Sequence, residues 1–116
     1  MTTATVRRPS LTAEFAEQEV ARLLRRIKNP TTKIAGFETP AGRHLALDRT
    51  VQGVQVWTED LPGRPALGRV VRYPAKKSRN SNLQSQANRL ATGRDAIMWK
   101  LEPAELMPLL AWYQRA

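Results

Sequence analysis

The chain has 116 residues, no cysteine, and 19 lysine and arginine residues against 10 aspartate and glutamate residues, which gives a formal net charge of +9. This length suits one domain with one modest core, and the lack of cysteine excludes disulfides and thiolate metal sites. No segment approaches the ~20 apolar residues that a transmembrane helix needs, so no membrane partner is expected. The charge favours an acidic partner, either nucleic acid (DNA or RNA) or an acidic protein surface.

Residues 1–9 are rich in threonine and end in Arg7, Arg8 and a proline. They predict a flexible basic tail ahead of a single α+β domain over residues 10–116. No apolar run follows the two arginines, so the pattern is not that of a secretory signal peptide. Together with the absence of cysteine, this favours a cytoplasmic location.

The first predicted helix begins with a cap at Ser10 or Thr12 and runs to about Lys28. Acidic residues come early in it and basic residues come late, as the helix dipole favours. Asn29 and Pro30 end it, because proline disfavours a helical conformation in the residue before it. Apolar residues recur on one stripe at helical spacing, namely Ala13, Ala16, Val20, Leu23, Leu24 and Ile27.

Residues 33–73 alternate between apolar and polar side chains and contain repeated turn signals. They predict a β-meander of four strands, at about 33–39, 43–48, 54–59 and 67–73. Alternation of this kind predicts that one face of the sheet is core and the other faces solvent or a ligand.

A short helix near 83–91, a strand over 95–101 and a C-terminal helix are predicted to follow. Pro103 suits a first helical turn, whereas Pro108 predicts a kink or a later start. The predicted fold is thus α+β: an antiparallel sheet of four to five strands, flanked by an N-terminal helix, the short helix and a C-terminal helix.

The positive charge is concentrated in residues 61–94, between Asp60 and Asp95. This stretch contains eight cations and no acid: Arg64, Arg69, Arg72, Lys76, Lys77, Arg79, Arg89 and Arg94. A solvated basic loop with no ligand is the simpler interpretation. Eight cations without one acid favour an anion-binding surface instead.

The predicted function is non-catalytic nucleic-acid binding, with DNA favoured over RNA. A helix beginning near Ser81 exposes free N–H groups that attract phosphate, lysine and arginine supply charge, and an aromatic ring offers a stacking surface. Polar side chains of the short helix can contact base edges. The predicted binding residues are Arg69, Arg72, Tyr73, Lys76, Lys77, Arg79, Asn80, Ser81, Asn82, Gln84, Asn88 and Arg89.

The first alternative is a small protein-interaction module or inhibitor that docks on a nucleic-acid-processing complex. Aromatic side chains often supply the central contacts of such surfaces. Trp57 shares its predicted strand face with Gln55 and Glu59, so it is the tryptophan expected to be most exposed. Trp99 and Trp112 are expected in the core.

The second alternative is a metal-dependent nuclease that uses carboxylates near His44, namely Asp48, Glu59 and Asp60. No lysine accompanies the acids at 57–61, and no nucleophile-elbow motif is present. The sequence therefore favours a protein without enzymatic activity, and no catalytic residue, metal or cofactor is assigned. The oligomeric state is left open, with a dimer as one option.

Overall fold

The computed structural model describes residues 11–79, 81–91 and 93–116. The predicted tail at 1–9, the candidate cap Ser10, and the predicted binding residue Asn80 lie outside the described residues, as does Thr92.

The described residues form a mixed α+β fold, as predicted, with one antiparallel sheet of six strands rather than four to five. The strands are β1 (Arg25–Arg26), β2 (Ile34–Glu38), β3 (His44–Asp48), β4 (Val54–Glu59), β5 (Arg69–Tyr73) and β6 (Ala96–Leu101). The α-helices are α1 (Leu11–Leu23), α2 (Leu83–Gln86) and α3 (Leu106–Arg115), with 3-10 turns at Asn88–Leu90 and Pro103–Glu105. No helix in this part of the chain is long and apolar enough to cross a bilayer.

The strand order is β1-β2-β3-β4-β6-β5, so the predicted four-strand meander is wrong in its last step. β6 lies between β4 and β5, paired along its whole length with β4, from Val54 opposite Leu101 to Glu59 opposite Ala96. β6 is apolar at most positions and suits the interior of a sheet. β5 carries Arg69 and Arg72 and suits an edge, where charged side chains stay in water.

Both faces of the sheet are largely buried at β2, β3, β4 and β6, which corrects the expectation that one face would be open, whereas the edge strands β1 and β5 are exposed. Leu45 and Leu47 of β3 belong to the core that α1 and α3 cover, while Ala46 belongs to a second core on the opposite face. The second core is covered by α2 and the 3-10 turn after it, through Leu83, Ala87, Leu90 and Ala91. His44 and Asp48 are therefore buried.

α1 ends at Leu23 rather than near Lys28, because the chain turns into strand β1. Arg25 pairs with Glu38 across the strands, and the Arg26 guanidinium lies 5.0 Å from the centre of the Phe37 ring. These contacts with β2 outweigh the helical pattern, as tertiary contacts often do.

The predicted helix at 83–91 is broken at Ala87, where φ is −150° and ψ is 72°. α2 therefore has four residues, and a separate 3-10 turn follows it. The side chain of Asn82 makes no capping hydrogen bond, and a short uncapped helix has little intrinsic stability.

Of the two outcomes expected from Pro108, a kink or a later start, the structure shows the later start. Pro103 opens a 3-10 turn that a Glu102–Glu105 capping box stabilises, and α3 begins at Leu106. Pro108 thus lies in the first turn of α3, where a backbone N–H would have no partner within the helix.

Candidate nucleic-acid interface

Arg79 is the structural centre of the loop that follows β5. Its Nε donates to the carbonyl of Lys77, Nη1 donates to those of Leu90 (3.2 Å) and Arg94 (2.9 Å), and Nη2 donates to those of Tyr73 (3.1 Å) and Pro74 (2.6 Å). The planar guanidinium suits this task because it presents five donors in fixed directions. Arg79 was predicted to hold phosphate, yet in this structure its donors hold the loop.

The same loop is fixed from the side of β6. The carboxylate of Asp95 accepts a hydrogen bond from the Ala75 N–H at 2.9 Å, and the Gly93 N–H donates to the Ala75 carbonyl at 3.4 Å. The Lys77 N–H donates to the Pro74 carbonyl at 2.8 Å and closes a tight turn. Hydrogen bonds within the loop and from residues 93–95 therefore fix the backbone of the loop.

An open hollow of about 320 Å³ lies between this loop and the start of α2. It is lined by Ala75, Lys76, Lys77, Ser78, Arg79, Ser81, Gln84 and Ala91, and is called the basic hollow below. Two lysines, two hydroxyls and one side-chain amide line it together with Arg79, and no acid is among these described lining residues. Such a lining offers donors and positive charge to an anion.

Lys76, Lys77 and Arg94 are exposed, and none of them forms an ion pair with an acid of the described residues. The Nζ of Lys77 lies 4.6 Å from the centre of the Tyr73 ring, where the π face favours a cation. The basic hollow thus keeps free positive charge at its rim.

The helix start contributes less than the sequence predicted. α2 spans one turn, so few peptide dipoles are aligned and little partial charge accumulates at its first residues. Ser81 and Gln84 line the basic hollow, and Asn82, next to α2, is half-buried. The positive charge at the basic hollow therefore comes mainly from the lysines rather than from the helix dipole.

Tyr73 has neighbours within the protein on its ring. The Trp57 ring centre lies 4.8 Å away, and the cations of Lys77 and Arg79 lie 4.6 Å and 5.8 Å from the Tyr73 ring centre. The predicted stacking surface for a base is therefore largely occupied. Trp57 itself is only 3% exposed, which corrects its assignment as the most exposed tryptophan. α2 and the turn after it cover that side of the sheet.

Trp99 is buried, as predicted, whereas Trp112 is partly buried and packs against the α1–α3 core. The indole N–H of Trp99 donates to the Thr58 hydroxyl at 2.9 Å. With Trp57 buried as well, an aromatic docking surface of the kind expected for the first alternative is not formed by Trp57 or Trp99.

The predicted binding residues do not all meet in space. Asn88 and Arg89 lie in the 3-10 turn beside Glu59, and Arg69 lies opposite Lys100 at the other end of β5. Arg72 lies 3.4 Å from the Asp60 carboxylate, which also pairs with Arg64 at 3.0 Å. The structure therefore brings together the residues of the basic hollow, whereas Arg69 lies at the far end of β5 and the Arg89 guanidinium is paired with Glu59.

Glu59 is the centre of a buried charged cluster. Burial alone would raise its pKa, but hydrogen bonds from Arg89 and from the His44 N–H, with the nearby charges of Arg89 and Arg43, hold the pKa below its ordinary value. Burial lowers the pKa of His44, and the positive charge of Arg89 lowers it further, against the opposite effects of Glu38 and Glu59.

Tyr113 completes this cluster, and the sequence contained no signal for it. Its hydroxyl accepts a hydrogen bond from the Glu59 N–H at 2.9 Å and donates one to the His44 carbonyl. Burial raises the pKa of Tyr113. Tyr113 is 54 residues from Glu59 in the chain, so only the docking of α3 on the sheet reveals the contact.

The acids considered for a nuclease have protein partners. Asp48 accepts hydrogen bonds from the backbone N–H and the hydroxyl of Thr50, at 2.8 and 2.7 Å. Asp60 and Glu59 pair with arginines. Within residues 11–79, 81–91 and 93–116, no group of three or more histidine, aspartate or glutamate residues is placed to hold a metal ion.

Comparisons with protein-family models, with curated proteins and with solved structures found no match to this chain.

Proposed function

We propose that this chain is a non-catalytic nucleic-acid-binding protein that holds backbone phosphates in the basic hollow. The observation that supports this most strongly is a loop, fixed by Arg79 and Asp95, that presents Lys76 and Lys77 without an acid partner among the described residues. A loop already fixed in the free protein loses little conformational entropy on binding.

The residues that line the basic hollow would contact a phosphate in different ways. Lys76 and Lys77 attract phosphate as point charges, while the hydroxyls of Ser78 and Ser81 and the amide of Gln84 can donate hydrogen bonds to its oxygens. Arg79 positions the loop, since its donors are taken by carbonyls. The net charge of +9 adds long-range attraction for a polyanion.

Contacts of this kind carry little sequence information, so binding should depend strongly on salt and weakly on sequence. The preference for DNA over RNA stays a prediction. It is tested by comparing single-stranded DNA, duplex DNA and single-stranded RNA of one sequence.

The experiment measures the fluorescence anisotropy of these three labelled oligonucleotides over a range of salt concentrations. The double variant Lys76→Glu/Lys77→Glu should weaken binding at least about tenfold and reduce the slope of log affinity against log salt by about 2, or about 1 for each phosphate that a lysine no longer neutralises. The matched control is Lys33→Glu/Lys100→Glu, which changes the net charge by the same amount. Lys100 lies at the end of β6 away from the basic hollow, and Lys33 precedes β2 at that same end.

The control should lose much less affinity than the variant at the basic hollow. Equal losses would show that net charge alone drives binding and would overturn this assignment of the site. Absence of binding to all three probes at low salt would overturn the function itself.

A further inference from the structure

β5 is an edge of the sheet with a free side. It pairs with β6, and no other strand of the described residues lies beyond it. Alternate residues of an edge strand point their N–H and C=O groups away from the sheet, where another extended chain can pair with them. Two neighbouring side chains of this edge are exposed and apolar, Val70 at 40% and Val71 at 37%.

Both ends of β5 are fixed. The Gly68 N–H donates to the Glu105 carboxylate at 2.9 Å, and a Cβ on Gly68 would lie 2.2 Å from the Lys100 carbonyl oxygen, so only glycine allows this approach. At the other end, the Tyr73 carbonyl accepts a hydrogen bond from Arg79. The edge is therefore already formed in the free protein. The conformational entropy lost on binding would come mainly from the added strand.

Each face of β5 presents one cation and one valine. The register places Val70 and Arg72 on the face of Trp99 and Ile97, and it places Arg69 and Val71 on the opposite face. Directly opposed side chains on neighbouring strands interact, and opposite charges or two apolar groups stabilise the pair. A strand complementary to β5 would therefore place an acid opposite Arg69, apolar residues opposite Val70 and Val71, and a second acid opposite Arg72.

We propose that β5 binds an extended acidic segment of a partner protein with the pattern acid–apolar–apolar–acid, added as an antiparallel seventh strand. The proposal does not depend on the function of the basic hollow, because β5 and the basic hollow use different cations. Arg69 has no acid partner among the described residues. Arg72 keeps 59% of its side chain exposed despite its contact with Asp60.

A second copy of the chain fits this edge less well. A two-fold pairing centred on Val71 would place Arg72 opposite Val70 and Arg69 opposite Tyr73, so neither arginine would meet an acid. It would also bring together two chains that each carry a net charge of +9. Charge complementarity therefore favours the acidic peptide.

The test measures the anisotropy of a fluorescein-labelled ten-residue peptide whose centre is Asp-Val-Val-Glu. The double variant Arg69→Glu/Arg72→Glu should bind this peptide at least about tenfold more weakly, and a peptide centred on Lys-Val-Val-Lys should bind the variant with the original affinity.

A second experiment methylates alternate backbone nitrogens of the peptide, which removes their N–H donors. Methylation of the set that faces β5 should abolish binding, whereas methylation of the other set should leave it nearly intact. Lys76→Glu/Lys77→Glu should leave the peptide affinity within about twofold of the wild type.

Three outcomes would overturn the proposal. Equal binding of the two N-methylated peptides would mean that charge alone holds the peptide. A dimer in sedimentation velocity that the peptide dissociates would assign the edge to a second copy. Loss of oligonucleotide binding in Arg69→Glu/Arg72→Glu, with peptide binding retained, would assign it to nucleic acid. If that variant does not fold, the methylated peptides still decide the question with the wild-type chain.

Discussion

The guanidinium of Arg89 forms two hydrogen bonds with the buried carboxylate of Glu59, from Nε to Oε2 at 2.8 Å and from Nη2 to Oε1 at 3.0 Å. This pair joins the turn after α2 to strand β4, and the His44 N–H donates to the same carboxylate at 3.0 Å. One of the cations expected at a nucleic-acid surface is therefore used to attach the second helical layer to the sheet.

Glu59→Gln should destabilise the protein by about 3 kcal/mol at pH 7, because it leaves Arg89 without its charged partner in a largely buried site. Urea denaturation followed by circular dichroism measures the free energy of unfolding. Glu14→Gln on the exposed face of α1 is the matched control and should change it by less than about 0.5 kcal/mol.

The same variant should change the dependence of stability on pH. The folded-state pKa of Glu59 is held below its ordinary value of 4.5, so its contribution to stability is present above that pH and is lost as the pH falls through the lower, folded value. The wild type should therefore lose more stability than Glu59→Gln below about pH 4.5. Parallel curves for the two proteins would contradict the role given to this carboxylate.

Arg79→Lys should destabilise the protein by about 2 kcal/mol although it keeps the charge, because an ammonium group cannot reach five carbonyls at once. Oligonucleotide affinity should fall with it, since the loop that presents Lys76 and Lys77 loses its support. Thermal unfolding and fluorescence anisotropy measure the two effects. Lys77→Arg is the control and should keep both values. An Arg79→Lys protein with wild-type stability would show that Arg79 contributes charge alone.

Gly36→Ala should destabilise the protein by about 2–3 kcal/mol, because the new Cβ would lie 2.1 Å from the Gln86 carbonyl oxygen. α2 would then have to move away from β2, which should also change the near-ultraviolet circular dichroism from Trp57. Gly42→Ala is the comparison, since a Cβ added at Gly42 would meet no atom of the described residues within 4 Å, although Gly42 has a φ of +86°. It should cost only about 1 kcal/mol. Equal effects of the two substitutions on urea denaturation would argue against this tight contact.

Most of the secondary structure could be predicted because it depends on local patterns. The alternation at 54–59 predicted β4 with its observed bounds, and Pro108 predicted a kink or a later start, of which the later start of α3 is observed. The alternation also predicted a strand at 67–73, where β5 spans Arg69–Tyr73. Prediction failed at Arg25 and Arg26, where pairing with β2 replaced the last turns of the helix.

The candidate site could be predicted only in outline. The loop containing Lys76 and Lys77 does form a basic hollow with Ser81 and Gln84. The sequence could not show that Arg79 and Arg89 are occupied by internal partners, since a run of cations looks the same whether its charges are free or paired.

By itself, the sequence determined the periods of most strands and helices and the positive sign of its net charge, because these depend on composition and on residues close together in the chain. The tertiary structure alone decided that β6 separates β4 from β5, that both faces of the central strands are covered, and which cations of the described residues have no acid partner. Those outcomes depend on distant segments: Glu59 meets Arg89 across 30 residues and Arg79 meets the Arg94 carbonyl across 15. No local pattern specifies how the chain returns to make such contacts.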